Sequence, residues 1–276
     1  MGFGVKAAVF PFHSWLPDAG VAPTPVTALL HAVAVVKAGA FAVLRVTYYI
    51  FGTAMLYGTW AQMVTMGVSL VGIVYASTMS IKEPHLKRRC AYSTMSNLNY
   101  ILFGCTLMCP AGFYASLAHM ITHAIMKITA FFCVGAIMHQ ADKHYIYDVD
   151  GLAKKMPVTF ACFTISGLAL AGVTGLCGFS SKWYLLNAAA ETGMDHILAI
   201  VGIAVLLYSS LATLIYMMTV SARAYLPTNH HDERWMERVT DPDWWMKVPF
   251  IVLCTAMVVF GLFSNPLISW INTIGV

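Results

Sequence analysis

Twelve acidic residues occur in the 276-residue chain, and none of them lies inside its long apolar stretches. That absence excludes a hard-cation cage built from carboxylates of this chain at membrane depth. Charged residues of either sign are scarce, at 10% against 59% hydrophobic, which excludes an ordinary soluble globular domain. No C-x-x-C pair occurs among the seven cysteines. Six of them sit within apolar stretches and Cys90 at the edge of one, so they read as small buried hydrophobes rather than a redox or metal motif. No stretch of ligands is placed to hold a metal or a haem, so neither a metal site nor any other cofactor is expected. A basic start followed by an unbroken apolar core is also missing, which excludes a secretory signal peptide.

What remains is a series of apolar runs, each near the roughly 20 residues needed to cross about 30 Å of hydrocarbon. There are seven: 25–50, 60–81, 90–109, 113–139, 157–187, 196–224 and 248–270. They lack the alternation of barrel strands, and a lipid-exposed backbone must satisfy its own hydrogen bonds, so all are expected to be helices. The predicted fold is therefore an all-α polytopic membrane protein with about seven transmembrane helices.

Four basic residues, Lys37, Arg45, Lys127 and Lys182, lie well inside these runs. The other basic residues are distributed asymmetrically. Lys82, Lys87, Arg88 and Arg89 follow the second run, Lys143, Lys154 and Lys155 the fourth, and Arg234, Arg238 and Lys247 the sixth, with Arg223 at its very end; the intervening loops and the tail have none. By the positive-inside rule those three loops are cytoplasmic, and Val276 ends outside. The net charge of +4 thus reflects loop bias, and nothing points to nucleic acid. Before the first run, Met1 to Thr24 carries Lys6 and then Pro11, Pro17 and Pro23. It reads as the tail of a helix, a proline-broken re-entrant turn and a short amphipathic piece with Trp15 at the interface. We expect the chain to begin partway through a larger fold.

The fourth run contains HMITHAIMK, from His119 through His123 to Lys127. Spacings of four and eight put the three titratable groups on one helix face over roughly 12 Å of axis. An imidazole relays protons through its two nitrogens, and burial disfavours the charged form of an amine, so this ladder has the chemistry for proton hopping with waters in the gaps. Alternatively, the histidines bond neighbouring helices and Lys127 snorkels. In the fifth run, GVTGLCGFSSK spans Gly172 to Lys182. Three glycines at three-residue spacing predict a broken helix near Gly175 to Lys182, as in transporters that place backbone dipoles around an ion path; a tilted unbroken helix is the other possibility. Lys37 lies mid-span and reads as functional, with His31 either beside it on a path or a satisfied core histidine. Arg45 nears the outer end and is read as a snorkelling residue.

Ordered motifs also carry a resemblance. KAAVFPFHSWLPD (Lys6 to Asp18), APTPVTALLH (Ala22 to His31), LKRRCAYSTMS (Leu86 to Ser96), His119 to Lys127 and GFSSK (Gly178 to Lys182) resemble the signature of the antiporter-like subunits of respiratory complex I, of Mrp-type cation/proton antiporters and of membrane-bound hydrogenases. The likeness covers all but the last two runs. It implies paired inverted five-helix repeats: a remnant of the first at 1–59, with an N-terminal half-helix, a complete second at 60–224, and a cytoplasmic loop with a final helix at 225–276. It implies a proton-translocating subunit, with H⁺, or H⁺ and Na⁺, as cargo, partnered in the lipid bilayer by other membrane subunits of such a complex in a prokaryotic plasma membrane. Redox chemistry then belongs to partner subunits. The proton-transfer residues implied are Lys6 on the first broken helix, Lys37 with His31 on the next, His119, His123 and Lys127 as the connecting relay, and Lys182 on the second broken helix. The glutamate that the family pairs with the lysine matched by Lys6 is not in this sequence. A rival from another class is a structural subunit whose polar residues merely hold helices together.

Overall fold

The computed structural model describes residues 2–193, 196–226 and 238–273. Arg234 and Val276, both used in the orientation argument, lie outside them. The described residues are helical throughout, joined by short turns, with no strand among them. Two short pieces come first, α1 (Gly2–Lys6) and α2 (Trp15–Asp18), and the Trp15 indole donates to the Val5 carbonyl at 3.0 Å. This matches the helix tail, turn and amphipathic piece expected there.

The first apolar run folds as two helices, α3 (Thr24–Ala32) and α4 (Val35–Arg45), the latter continuing into a wider turn over Val46–Phe51. No break was expected here. At Val33–Ala34 both amides donate to the single carbonyl of Leu29, so the ladder slips by one residue and Lys37 follows directly after the slip. The sequence there, AVAVV, has no glycine or proline to announce it. After the one-turn α5 (Thr53–Leu56) come three long helices, α6 (Trp60–Lys82), α7 (Leu86–Thr106) and α8 (Pro110–Ala141).

The fifth run is broken, as expected, but earlier in the sequence. Helix α9 (Pro157–Ala171) ends at Gly172, left-handed at φ 92°, and α10 (Cys177–Thr192) begins after Gly175, also left-handed at φ 89°. Residues 178–182 are already helical. The two glycines whose backbone only glycine adopts easily set the break at 172–176. Gly178 serves a different need. A Cβ there would lie 1.8 Å from the Ala169 carbonyl oxygen, so the start of α10 can cross the end of α9 only without a side chain.

Helix α11 (Ile197–Tyr225) is long and unbroken. The last expected span is instead two helices, α12 (Trp244–Leu262) and the short α13 (Ser264–Asn272), separated at Phe263 just before Pro266. Among the described residues, five segments are long and apolar enough to cross a membrane: Thr24–Phe51, Trp60–Lys82, Pro110–Ala141, Ile197–Tyr225 and Trp244–Leu262. Helix α7 is long enough but polar, and it is enclosed on nearly every side by α4, α6, α8 and α11. Its serines and asparagines are therefore shielded from lipid, while Val71, Leu207, Leu211 and Ile215 on α6 and α11 face outward.

The connections cluster at two ends. At one, Leu86 N donates to His144 O, Ile146 N to Pro84 O and Gly151 N to Arg223 O, so the three basic loops pack together. At the other, Tyr48 Oη donates to Cys109 O, Gln62 Nε2 to Thr106 O, and the Tyr57 and His196 rings lie 5.1 Å apart.

Candidate functional site

Helix α8 runs through the middle of the bundle and carries His119, His123 and Lys127, all fully buried. The four-residue spacing brings the two imidazoles to 5.9 Å between ring centroids, nearly parallel at 23°. Other helices supply partners to this ladder at several points. From α4, Lys37 Nζ donates to the Met120 carbonyl at 2.9 Å and lies 2.7 Å from His123 Nδ1. From α10, Ser181 Oγ is 3.0 Å from His119 Nδ1, and from α7 Asn97 Oδ1 is 3.2 Å from His119 Nε2. Lys127 Nζ donates to Ser93 Oγ at 2.6 Å.

Lys182 follows Ser181 on α10. Its ammonium donates to Leu170 O at 2.7 Å, Ala171 O at 3.3 Å and Ser210 Oγ at 2.9 Å, and sits 5.2 Å above the Tyr100 ring. These two carbonyls are orphans of the broken helix. Gly172 N and Val173 N cap the earlier Leu168 and Ala169 carbonyls, leaving the last two for the lysine. The break thus makes an ammonium site from the negative end of a helix dipole.

Three ion pairs occur among the described residues, Arg88 with Asp18, His144 with Asp142 and Arg223 with Asp150, all at the basic-loop end. None reaches Lys37, Lys127 or Lys182. Burying an ammonium without an anion is costly, and here carbonyls, hydroxyls and imidazoles are what offset the cost.

Lys37, His123 and His119 thus lie in a row that meets α10 at Ser181, the residue before Lys182, with Lys127 one helical turn beyond His123 on the same helix. His31 lies apart from the row's direct bonds. It is fully buried, its ring 5.2 Å from that of Phe131 and tilted against it, within electrostatic reach of Lys127, and neither ring nitrogen has a partner among the described residues. Nε2 of His123 is likewise unpartnered. Such atoms fit a water-mediated link. Lys6 ends α1, which packs against α4, but its side chain is exposed and no hydrogen bond joins it to the row among the described residues. Arg45 is exposed with its guanidinium 5.9 Å from the Phe41 ring, as a snorkelling residue should be.

Several contributors escaped the sequence reading: Asn97 and Ser93 on α7, and Ser210 and Tyr216 on α11. A usable signal existed for the α7 set. Ser93, Ser96, Asn97 and Tyr100 recur at the i, i+3, i+4, i+7 spacing of one helix face, here a polar face in a membrane span. Arg89 was counted as a loop charge, yet it is only 3% exposed and donates to the carbonyls of Ile81, Glu83 and Tyr216.

Residues 1–208 match the family described as NADH:quinone oxidoreductase/Mrp antiporter, TM. NADH-quinone oxidoreductase subunit N of Desulforudis audaxviator is 34% identical over 97% of this chain and 54% of its own length. Na(+)/H(+) antiporter subunit A1 of Staphylococcus aureus is 30% identical over 96% of this chain and 35% of its own length. Among solved structures, a chain of the membrane-bound sulfane sulfur reductase, an archaeal respiratory membrane complex, superposes with a TM-score of 0.86 at 26% identity, over 99% of this chain and 53% of that one. The chain therefore spans about half the length of the first of these relatives. With its long apolar helices it is an integral membrane protein, and it belongs to the NADH:quinone oxidoreductase/Mrp antiporter transmembrane family.

Proposed function

We propose that the protein is a proton-translocating membrane subunit of a redox-driven or antiporter complex, and that protons pass along the buried row from Lys37 through His123 and His119 to Lys182, with Lys127 exchanging protons with it. The observation that carries this reading is the alignment of buried groups, 2.7 Å from Lys37 to His123, 5.9 Å between the centroids of the two imidazoles and 3.0 Å from His119 to Ser181, the residue before Lys182. Every member is a group that both takes up and releases protons or a hydroxyl that passes them on. A purely structural polar core needs hydrogen bonds but has no need of five titratable side chains in line.

Proton is the cargo favoured over sodium, since no carboxylate of the described residues reaches the row. Other membrane subunits are the natural partners, and they would hold the redox chemistry. His31 is assigned to the same path through water, and Lys6 to an entry position near α4. Residues 1–59 and 60–224 are read as parts of two inverted repeats, with 225–276 as an appended loop and helix. The interruption after Ala171, followed by Lys182, is the broken helix that reading places in the second repeat. The end where the basic loops meet is assigned to the cytoplasm of a prokaryotic plasma membrane.

The test is proton uptake into proteoliposomes by the assembled complex. Lys127→Ala is expected to abolish translocation with assembly intact, and His123→Ala to slow it less, since alanine leaves the space of the imidazole for a bridging water. Wild-type pumping by Lys127→Ala would make the ladder structural.

A further inference from the structure

The three buried lysines differ in what they donate to. Lys182 donates to two carbonyl oxygens, which only accept, and to the Ser210 hydroxyl. Lys37 faces one carbonyl and an imidazole nitrogen. Lys127 donates to a single hydroxyl, that of Ser93, and a hydroxyl both accepts and donates.

That hydroxyl is the first of a series whose direction can be worked out. Thr213 O–H donates to the Ser209 carbonyl at 2.7 Å, and Tyr216 O–H donates to Thr213 Oγ1 at 3.1 Å. Tyr216 has one hydrogen, so in its contact with Ser93 it must accept, and Ser93 donates. The order is Lys127 N–H to Ser93, Ser93 to Tyr216, Tyr216 to Thr213, Thr213 to a backbone oxygen. Every dipole points away from the ammonium, and the series ends on an acceptor that cannot pass a proton further. It is not an exit path. It is a set of dipoles oriented for a charged lysine.

We infer that Ser93 and Tyr216 form a reversible hydroxyl relay that holds Lys127 in either charge state, with Tyr216 as the positioning residue that lets Ser93 turn. The inference rests on the reading of Lys127 as a proton-exchanging group. When Lys127 is neutral, its lone pair accepts from Ser93 O–H and Tyr216 O–H turns from Thr213 to Ser93, while Thr213 keeps its bond to Ser209. Two O–H rotations suffice, no heavy atom moves, and no proton is transferred along the series. On losing its proton Lys182 keeps two N–H groups for its two carbonyls, and the Ser210 hydroxyl turns to donate to the lone pair.

The groups that interact electrostatically with Lys127 are Cys90 from α7, His31 from α3 and His123 on its own helix; Arg89 acts on Cys90 and Tyr216, and Lys37 and Lys182 act on the histidines. Among the described residues none of these is a carboxylate, so no neighbouring anion of theirs stands in for the relay.

The experiment is the pH dependence of proton uptake by the assembled complex in proteoliposomes, for the wild type, Tyr216→Phe, Ser93→Ala, Ser93→Thr and Lys127→Ala. Ser93→Ala removes the hydrogen bond to the charged amine and lowers the midpoint by about one pH unit, and Tyr216→Phe, which removes the acceptor that holds the Ser93 hydrogen away from the amine, lowers it by less. Ser93→Thr keeps the hydroxyl and returns the midpoint to the wild-type value, which separates the relay from a packing role. Should Tyr216→Phe not assemble, the Ser93 pair decides. Inactive Lys127→Ala together with unmoved midpoints in Tyr216→Phe and Ser93→Ala overturns the relay and leaves the proton path standing. Active Lys127→Ala overturns both.

Discussion

Replacing Lys182 by methionine and by arginine separates its two roles, since one substitution removes the charge and the other keeps it without a releasable proton. The ammonium satisfies Leu170 O and Ala171 O, the two carbonyls left open at the end of α9, and also bonds Ser210. Charge-assisted hydrogen bonds contribute about 1.5–3 kcal/mol each, and a cation at a partly buried helix C-terminus up to about 2 kcal/mol. Lys182→Met removes all of this and leaves two buried carbonyls unpaired, so a loss of about 3–5 kcal/mol is expected. That is a large share of the stability of a typical domain. Lys182→Arg keeps a cation with several donors at the same helix end, but a guanidinium does not release a proton at physiological pH. The assay pairs thermal unfolding of the purified complex with proton uptake in proteoliposomes. Lys182→Met is expected to lower Tm and to stop translocation; Lys182→Arg should retain most of the thermal stability and still fail to translocate. Pumping by Lys182→Arg at the wild-type rate would mean that only fixed positive charge is needed there, and the titrating role would fall.

Labelling of single cysteines placed beside Arg88 and Lys154 is expected from one side of the membrane only, and beside Tyr57 and Thr192 only from the other; mixed accessibility within either pair would break the two-ended arrangement of the loops. Gly178→Ala puts a methyl 1.8 Å from the Ala169 carbonyl, a backbone atom that cannot rotate aside, so the α9–α10 crossing must open and the yield of assembled complex should fall sharply. Normal assembly of that variant would show that the crossing is looser than drawn here.

Much of this arrangement was legible in the residues because lipid imposes few solutions. Apolar runs must be helices, basic loops must gather at one end, and a lysine inside a run must face protein. Lys37, Lys127 and Lys182 follow from those constraints, and the spacing of His119 and His123 puts them in line. The slip at Val33–Ala34 was not legible, because it is a change of hydrogen-bond register among residues that also suit a straight helix. Nor was the turn at Phe263, since both flanking segments are apolar. Glycine spacing located the fifth-span break only approximately: Gly172, Gly175 and Gly178 look alike in sequence, but two supply left-handed backbone and the third supplies room. The hydroxyl partners were missed because serine and tyrosine are common in membrane helices and only tertiary packing shows which of them meet a lysine. Arg89 shows the reverse error, a residue that looks like loop charge and is folded inward to bond three carbonyls.

The central claim is that protons cross the middle of the bundle through the paired histidines. His119 is the member whose loss cuts the row between Lys37 and Lys182 while leaving all three lysines in place. Glutamine there offers a donor and an acceptor for Asn97 and Ser181 but carries no exchangeable charge. Proton uptake by the complex assembled with His119→Gln should fall to background with assembly and thermal stability retained. Uptake at the wild-type rate would contradict the account, because it would show protons passing between the lysines by a route that does not use the row.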